Sequence, residues 1–237
     1  MDYSTLKKRK QMVDAELRLN RHYAPNLYLD AIPITRESDG TLALNGSGTP
    51  VEWAVHMRRF SQSDLLGNRV EAGTAEPEMM DKVADAIFVS HQELKRYSSR
   101  DASADVDTTI ISLIQQLNRL HEAFPPSDVT AFHTGVRKQL VRHRPLIAER
   151  TTAGFVRRCH GDLHLNNIVV LDGKPTPFDA IEFNDDIAII DTIYDLAFLL
   201  MDLDHAGQRA SKTLVECPSR SQHSSARCGM NGAMSWA

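Results

Sequence analysis

Asp162, Asn167 and Asp179 are the residues of this chain whose types and spacing point most clearly to chemistry. Phosphoryl transfer needs one group that orients an attacking hydroxyl and takes its proton, and a magnesium ion that neutralises the phosphate charge. Magnesium prefers hard oxygen ligands, and an Asn amide oxygen and an Asp carboxylate both suit it. The pattern therefore favours Asp162 as the residue that handles the hydroxyl, and it favours Asn167 and Asp179 as ligands of the metal.

The spacing of these residues has a local explanation. Residues 168–171 form a largely β-branched run that predicts a strand, the Asp-Gly pair after it is a turn signal, and residues 176–179 are predicted to be the returning strand. A hairpin of this kind brings the chain back to near its start. We therefore expect Asp179 to lie beside Asn167, with Asp162 a few residues back on the loop.

Three segments together resemble the catalytic region of the aminoglycoside phosphotransferase family, within the protein-kinase-like superfamily; they are HGDLHLNN, FDAIEFND and DTIYDLAFL. The similarity is greatest to a bacterial subgroup of predicted kinases whose members are often fused to a separate nucleotide-binding domain. It implies fusion or association of this chain with such a domain as an expected partner. It implies that Asp162 is the catalytic base, Asn167 a magnesium ligand and Asp179 the principal magnesium ligand. It also implies that Asp195 braces the catalytic loop, and that ATP and Mg2+ are the cofactors.

The same resemblance implies an α+β fold of the protein-kinase-like, two-lobe type, with a truncated N-lobe and a mainly helical C-lobe. Residues 1–60 would form the partial N-lobe, a helix plus antiparallel strands, and residues 61–210 the C-lobe with the catalytic hairpin. Residues 211–237 are rich in Ser and lack periodicity, so we predict a disordered tail there.

Two parts of the N-lobe resemble elements that hold ATP. Glu16 resembles the helix Glu that pairs with a phosphate-binding Lys, and residues 51–60 resemble the strand before the hinge, where backbone groups from Val55 to Met57 would contact adenine. The alternatives are a solvent-facing Glu and a simple core strand. A Gly-rich loop and a strand Lys should come first, but neither precedes Glu16, so we expect the chain to begin inside the lobe.

A zinc hydrolase is an alternative from another class of enzyme. The alternating H-x-D-x-H cluster consists of His160, Asp162 and His164. His and Asp are zinc ligands, and His205 and His223 are candidates for the further ligands that such a site needs. The zinc alternative leaves Asn167 and Asp179 without a role. A turn in which Asp162 only accepts backbone hydrogen bonds is the plainest alternative of all.

A non-catalytic protein is the second functional hypothesis. The missing Gly-rich loop and Lys favour a fragment or pseudokinase that binds nucleotide or a partner protein. For an active enzyme, the expected acceptor is a hydroxyl of a small molecule, with aminoglycosides, other sugars and amino alcohols as candidates. Asp185 and Asp186 are candidates for contacts to a cationic substrate, although a solvated turn also explains them.

Composition excludes several other classes of protein. The 237 residues are 42% hydrophobic and 24% charged, and the net charge of −4 gives no nucleic-acid footprint. No apolar run is long enough to span a membrane, and the N-terminus lacks the apolar segment of a secretion signal. Three cysteines, an odd number, argue for a reducing compartment, and we expect the cytoplasm.

Turn and capping residues predict where several elements begin and end. Ser4 is predicted to cap the first helix, and Asp191 the last. Pro33 indicates an edge strand or a strand end. Residues 98–107 are predicted to be a loop, and the helix that starts at Asp128 is predicted to end at Pro145.

Overall fold

The structure is a computed structural model, and it describes residues 2–207. The predicted disordered tail, residues 211–237, therefore lies outside the described residues, as does His223. Helices and small antiparallel sheets alternate along the chain, so the prediction of an α+β fold is confirmed at that level.

The elements, in chain order, are α1 (Leu6–Tyr23), β1 (Tyr28–Arg36), β2 (Leu42–Leu44), β3 (Thr49–Met57), α2 (Leu66–Glu71), α3 (Pro77–Glu93), α4 (Ala102–Arg119), α5 (Pro126–Thr152), β4 (Val156–Arg158), β5 (Ile168–Leu171), β6 (Lys174–Pro177), α6 (Asp185–Ala188), β7 (Ile189–Asp191) and α7 (Thr192–His205). These elements fall into two compact units. Among the described residues, the first unit takes 2–93, 162–183 and 195–207, and the second takes 94–161 and 184–194. Neither unit begins or ends at residue 60, where we predicted the boundary between two lobes. The division into lobes stays a prediction.

The first unit opens with α1 and a three-stranded antiparallel sheet in the order β2-β1-β3. Thr5 caps α1, because its side-chain oxygen accepts a hydrogen bond from the backbone N–H of Lys8 at 3.3 Å. The prediction of Ser4 as the cap is therefore wrong by one residue. Helix α1 packs along β3 through an ion pair of Arg9 with Glu52, at 2.7 Å.

Pro33 lies in β1, the central strand of this sheet, so the prediction of an edge strand or a strand end is wrong. The missing N–H is tolerated because of where β2 stops. The last residue pair between β1 and β2 is Ile34 with Leu44. Beyond that pair, the carbonyl of Pro33 accepts a hydrogen bond from the backbone N–H of Asn45. The nitrogen of Pro33 thus faces the side on which the ladder has already ended.

A buried apolar cluster joins the helices of the first unit to the loop that carries Asp162 and Asn167. It contains Leu66, Val70, Met80, Val83, Ala84, Ile87, Leu163, Leu165, Ile168, Leu199 and Leu203. Leu163 and Leu165 alternate with the polar residues of the loop and point into the core, where each is at most 6% exposed. The loop is thereby anchored through its apolar side chains, which leaves its polar side chains for chemistry.

The hairpin of β5 and β6 follows this loop. Asp172 and Gly173 both have positive φ, 52° and 76°, as a two-residue hairpin turn requires. Because this short turn pairs Leu171 directly with Lys174, the returning strand runs from Lys174 to Pro177. The predicted strand of residues 176–179 was thus placed two residues too late.

The second unit is built on the helices α4 and α5 and the strand pair β4–β7. Helix α4 begins at Ala102, inside the predicted loop, because the Asp101 side chain accepts from the N–H of Ala104 at 3.0 Å and caps it.

Helix α5 continues through Pro145, so the prediction that it ends there is wrong. Proline removes one helical hydrogen bond and costs about 3 kcal/mol. Ion pairs on both sides of the proline oppose that loss, from Arg144 to Asp107 at 2.9 Å and from Arg150 to Asp191 at 2.7 Å. Asp191 also accepts from the N–H of Ile193 at 2.9 Å, which agrees with its predicted capping role.

Leu199 provides a test of the core that supports the loop carrying Asp162 and Asn167. Its side chain is fully buried, so Leu199→Ala should lower the free energy of unfolding by about 2–5 kcal/mol, measured by urea unfolding. Met201→Ala is the matched control, because Met201 lies on the same helix and is 59% exposed. Equal losses in the two variants would contradict this packing.

Candidate functional site

Asn167 holds the side chain of Asp162. The short 3-10 turn Leu165–Asn167 follows Asp162, and the amide nitrogen of Asn167 donates to both the backbone carbonyl and a carboxylate oxygen of Asp162, at 2.9 and 3.2 Å. Asn167 is 7% exposed, whereas the Asp162 side chain is 46% exposed. The Asp162 carboxylate is therefore oriented by a buried residue while it remains open to an incoming molecule.

Asp179 reaches the same end of the hairpin. The N–H of Phe178 donates to the carbonyl of Asn167 at 2.9 Å, which places Asp179 one residue beyond a direct backbone link to Asn167. The structure thus brings Asp162, Asn167 and Asp179 together. Asp179 itself has a φ of 64°, in the left-handed region. A non-Gly residue held there costs on the order of 1–3 kcal/mol and occurs often at functional sites.

Glu16 lies in an acidic environment. Burial, and then the negative charges of Glu182 and Asp179, raise the pKa of Glu16 from its ordinary 4.5 to about 6. No Lys, Arg or His within residues 2–207 forms an ion pair with Glu16, so the predicted pairing with a Lys has no counterpart there. The structure instead gathers the Glu16, Asp179 and Glu182 carboxylates, an arrangement that a positive charge would stabilise.

Val55 and Met57 lie in β3 with their side chains packed against the cluster of buried residues around Leu27 and Tyr28. A cavity of about 900 Å³ begins one residue after β3 instead, and its walls are Arg58, Arg59, Phe60, Ser61, Gln62, Asp64, Val170, Leu171 and Asp172. The predicted contact segment of Val55 to Met57 therefore leads into this cavity without lining it.

The exit segment, residues 58–62, has free backbone groups at this cavity. Within the described part of the chain, neither Arg59 nor Phe60 forms a hydrogen bond through its backbone. The ring of Phe60 meets the ring of Phe178 edge to face, with centroids 5.5 Å apart. The exit segment is therefore packed against the residue that precedes Asp179.

Two side chains, Tyr28 of β1 and Asn20 of α1, form three hydrogen bonds to the backbone around Asp179, and sequence reasoning missed both residues. The hydroxyl of Tyr28 accepts from the N–H of Asp179 at 3.1 Å, and Asn20 bonds to both the N–H and the carbonyl of Ala180, at 2.7 and 3.3 Å. Asn20 lies one helical turn after Leu17, on the buried face of α1. A polar residue at such a position needs a partner, and that was the available signal.

Helix α7 contributes two buried or partly buried acids, of which only one was predicted. Asp195 is fully buried and bonds to His91 of α3 at 2.9 Å. Asp202 accepts from the backbone N–H of Leu165 at 3.0 Å, so it supports the turn that carries Asn167. The bracing role predicted for Asp195 stays a prediction, whereas Asp202 binds the turn Leu165–Asn167 directly.

The charged candidates for substrate contacts are already paired. In the second unit, Asp185 lies 3.0 Å from Arg158 and Asp186 lies 3.2 Å from Arg100. A cationic substrate would have to compete with these arginines, which weakens the case for such contacts.

Of the histidines in the zinc alternative, His164 and His205 lie in the first unit, and among the described residues neither joins a cluster of potential metal ligands. His160 belongs to the second unit and is buried, at 1% exposure. A nitrogen of His164 lies 3.5 Å from the Asp162 carboxylate, and His205 ends α7. The same carboxylate is already engaged by Asn167.

Comparison with known proteins leaves the function open. No protein-family model and no solved structure matches the chain. The curated relatives include the uncharacterized proteins Rv2004c of Mycobacterium tuberculosis and Mb2027c of Mycobacterium bovis. Each is 30% identical over 212 residues, which cover 88% of this chain and 41% of the relative. The chain spans less than half the length of these relatives. No helix in residues 2–207 is long and apolar enough to cross a membrane.

The pKa of Glu16 makes stability depend on pH in a defined direction. Its folded pKa of about 6 lies above the ordinary 4.5, so the folded state binds the proton more tightly and loses stability as pH rises from about 4.5 to about 6. Glu16→Gln imitates the protonated form. Its thermal midpoint should exceed that of the natural protein at pH 7 and approach it at pH 4.

The exposed Glu122 provides the control, since Glu122→Gln should leave the difference between the two pH values unchanged. A Glu16→Gln variant that is no more stable than the natural protein at pH 7 would contradict the acidic environment described for Glu16.

Proposed function

We propose that this chain carries the site of an ATP- and Mg2+-dependent phosphotransferase that acts on a hydroxyl of a small molecule, with a protein-kinase-like fold. The observation that carries the proposal is the convergence of Asp162, Asn167 and Asp179 at the open end of one hairpin. Asn167 bonds directly to Asp162 and, through its carbonyl, to the N–H of Phe178 next to Asp179. The resemblance of three sequence segments to the aminoglycoside phosphotransferase family supports the same conclusion.

The free oxygen atoms of the site suit magnesium. The amide nitrogen of Asn167 is occupied by Asp162, and its amide oxygen has no hydrogen-bond partner within residues 2–207. The Asp179 carboxylate, on an exposed residue, likewise has no hydrogen bond or ion pair in that part of the chain. Two uncommitted oxygen ligands and nearby carboxylates are the donor set that Mg2+ prefers, and the ion usually retains several waters as well.

Each residue then has a distinct task. Asp162, oriented by Asn167, would accept the proton of the attacking hydroxyl and align that hydroxyl with the phosphate. Asn167 and Asp179 would hold Mg2+, which supplies neutralisation of the phosphate charge when bound. Most of the rate enhancement in phosphoryl transfer comes from such positioning and charge stabilisation.

The cavity next to the exit segment is the proposed place for the base of ATP. Uncommitted backbone groups at Arg59 and Phe60 suit a base with adjacent donors and acceptors, and Phe60 offers an aromatic surface. Fusion or association with a separate nucleotide-binding domain is part of the proposal, because the family subgroup that the chain resembles is often fused to one. This proposal implies the cytoplasm, where ATP is supplied, and no role for nucleic acid or membrane.

A non-catalytic nucleotide-binding protein is the second candidate, and one observation favours it. Glu16 has carboxylates as its charged neighbours and no cation partner within the described range. In a kinase site, a Lys normally forms an ion pair with such a Glu and also contacts the phosphates. A pseudokinase would bind nucleotide without transferring phosphate.

Calorimetry with Mg2+ and ATP tests the proposed metal site. The natural protein should bind ATP only with Mg2+ present, and Asp179→Asn should weaken binding by about 100-fold, since a metal–phosphate bridge contributes several kcal/mol. Asp81→Asn is the matched control, because Asp81 is an exposed acid of the same unit on α3. Equal affinities of the natural protein and Asp179→Asn would contradict the assignment.

Slow hydrolysis of ATP, with water in place of the acceptor hydroxyl, separates the two candidates. If Asp162 is the base, Asp162→Asn should keep ATP affinity and lower this rate by about 10²- to 10⁴-fold. ATP binding without any hydrolysis by the natural protein would favour the pseudokinase.

A further inference from the structure

Three consecutive backbone N–H groups around Asp179 bind three different elements of the first unit. Phe178 donates to the carbonyl of Asn167, Asp179 to the hydroxyl of Tyr28, and Ala180 to the side-chain oxygen of Asn20. The three distances are 2.9, 3.1 and 2.7 Å. The catalytic turn, β1 and α1 thus each fix one residue of this segment.

These bonds oppose the intrinsic preference of the backbone at Asp179. With a φ of 64°, the residue occupies a region that L-residues disfavour. A strained residue keeps such a conformation only when its surroundings over-determine it. Asn20 and Tyr28 are buried, at 0% and 1% exposure, so their hydrogen bonds are shielded from competing water.

The bonds also leave the carboxylate of Asp179 free. Asn20 and Tyr28 bind only backbone atoms of Asp179 and Ala180, and Asn20 takes both the N–H and the carbonyl of Ala180. Glu16, one turn before Asn20 on α1, contributes repulsion between carboxylates in this region, so it does not hold Asp179 in place. The positioning of the carboxylate therefore depends on the neutral polar groups.

We infer that Asn20 and Tyr28 are positioning residues that lock Asp179 in its left-handed conformation and so aim its carboxylate at the proposed metal. The inference rests on the proposed function for the identity of the ligand. It means that α1 and β1, as well as the hairpin, contribute to metal affinity through the position of Asp179. Partners that orient a metal ligand typically change metal affinity by about 10- to 100-fold when removed.

The test combines two measurements on Tyr28→Phe, which removes a single hydroxyl from a buried ring. Amide hydrogen exchange, measured by NMR without nucleotide, reports how firmly the backbone amide of Asp179 is hydrogen-bonded. The Asp179 amide should exchange about tenfold faster, because one hydrogen bond is lost, while the Ala180 amide changes less. Calorimetry with Mg2+ and ATP should then show apparent metal affinity lowered by about 10-fold or more.

Two further variants make the test specific. Asn20→Leu keeps the branched shape of the side chain and removes its polar atoms. It should accelerate exchange at Ala180 and also weaken metal binding; its thermal unfolding is recorded to confirm that it folds. Tyr97→Phe is the matched control, since Tyr97 lies in the other unit and its hydroxyl has no partner within residues 2–207.

The outcomes separate this inference from the proposed function. Unchanged exchange at Asp179 in Tyr28→Phe would overturn the lock. Faster exchange with unchanged metal affinity would also overturn the inference, because the bonds would then be purely structural. A natural protein that binds no Mg2+ with ATP would refute the proposed function, and with it the metal role, whereas the lock itself would stand on the exchange data.

Discussion

The hydrogen bonds of three consecutive amides, from Phe178 to Ala180, are the constraint on which the rest of the candidate site depends. Each amide is committed to a different element, and together they hold Asp179 in a left-handed conformation that it would otherwise avoid. One of these bonds reaches Asn167, which in turn orients the carboxylate of Asp162. Loss of these hydrogen bonds would therefore change both the position of Asp179, the proposed metal ligand, and its distance from Asp162, the proposed base.

The electrostatics of the site follow from the same geometry. Glu16, Asp179 and Glu182 lie close enough that burial and mutual repulsion raise the pKa of Glu16 to about 6. Such a cluster stores unfavourable energy that a divalent cation would relieve, which makes metal binding and local stability interdependent. Asn20 and Tyr28 are neutral, so they fix the backbone without offsetting that negative charge. A cation would therefore still stabilise the cluster of carboxylates.

The sequence predicts those features that depend on neighbouring residues. The β-branched run and the Asp-Gly turn of the hairpin and the acidic cap at Asp191 are all local signals, and the structure contains each of them. Longer-range features escaped prediction. Helix α5 passes Pro145, and ion pairs to other elements lie on both sides of the proline, which no local signal predicts. Asn20 and Tyr28 were not predicted, because their partners are about 150 residues away in the sequence. The available signal was a single polar residue, Asn20, on the apolar face of a helix.

The central claim, that Asn167 and Asp179 share one metal ion, is tested most directly by NMR with Mn2+ as a paramagnetic substitute for Mg2+ in the presence of ATP. The account predicts that substoichiometric Mn2+ first broadens the side-chain amide signal of Asn167 and the backbone amide signals around Asp179. Broadening centred elsewhere, with the signals of Asn167 and Asp179 unaffected, would contradict the account.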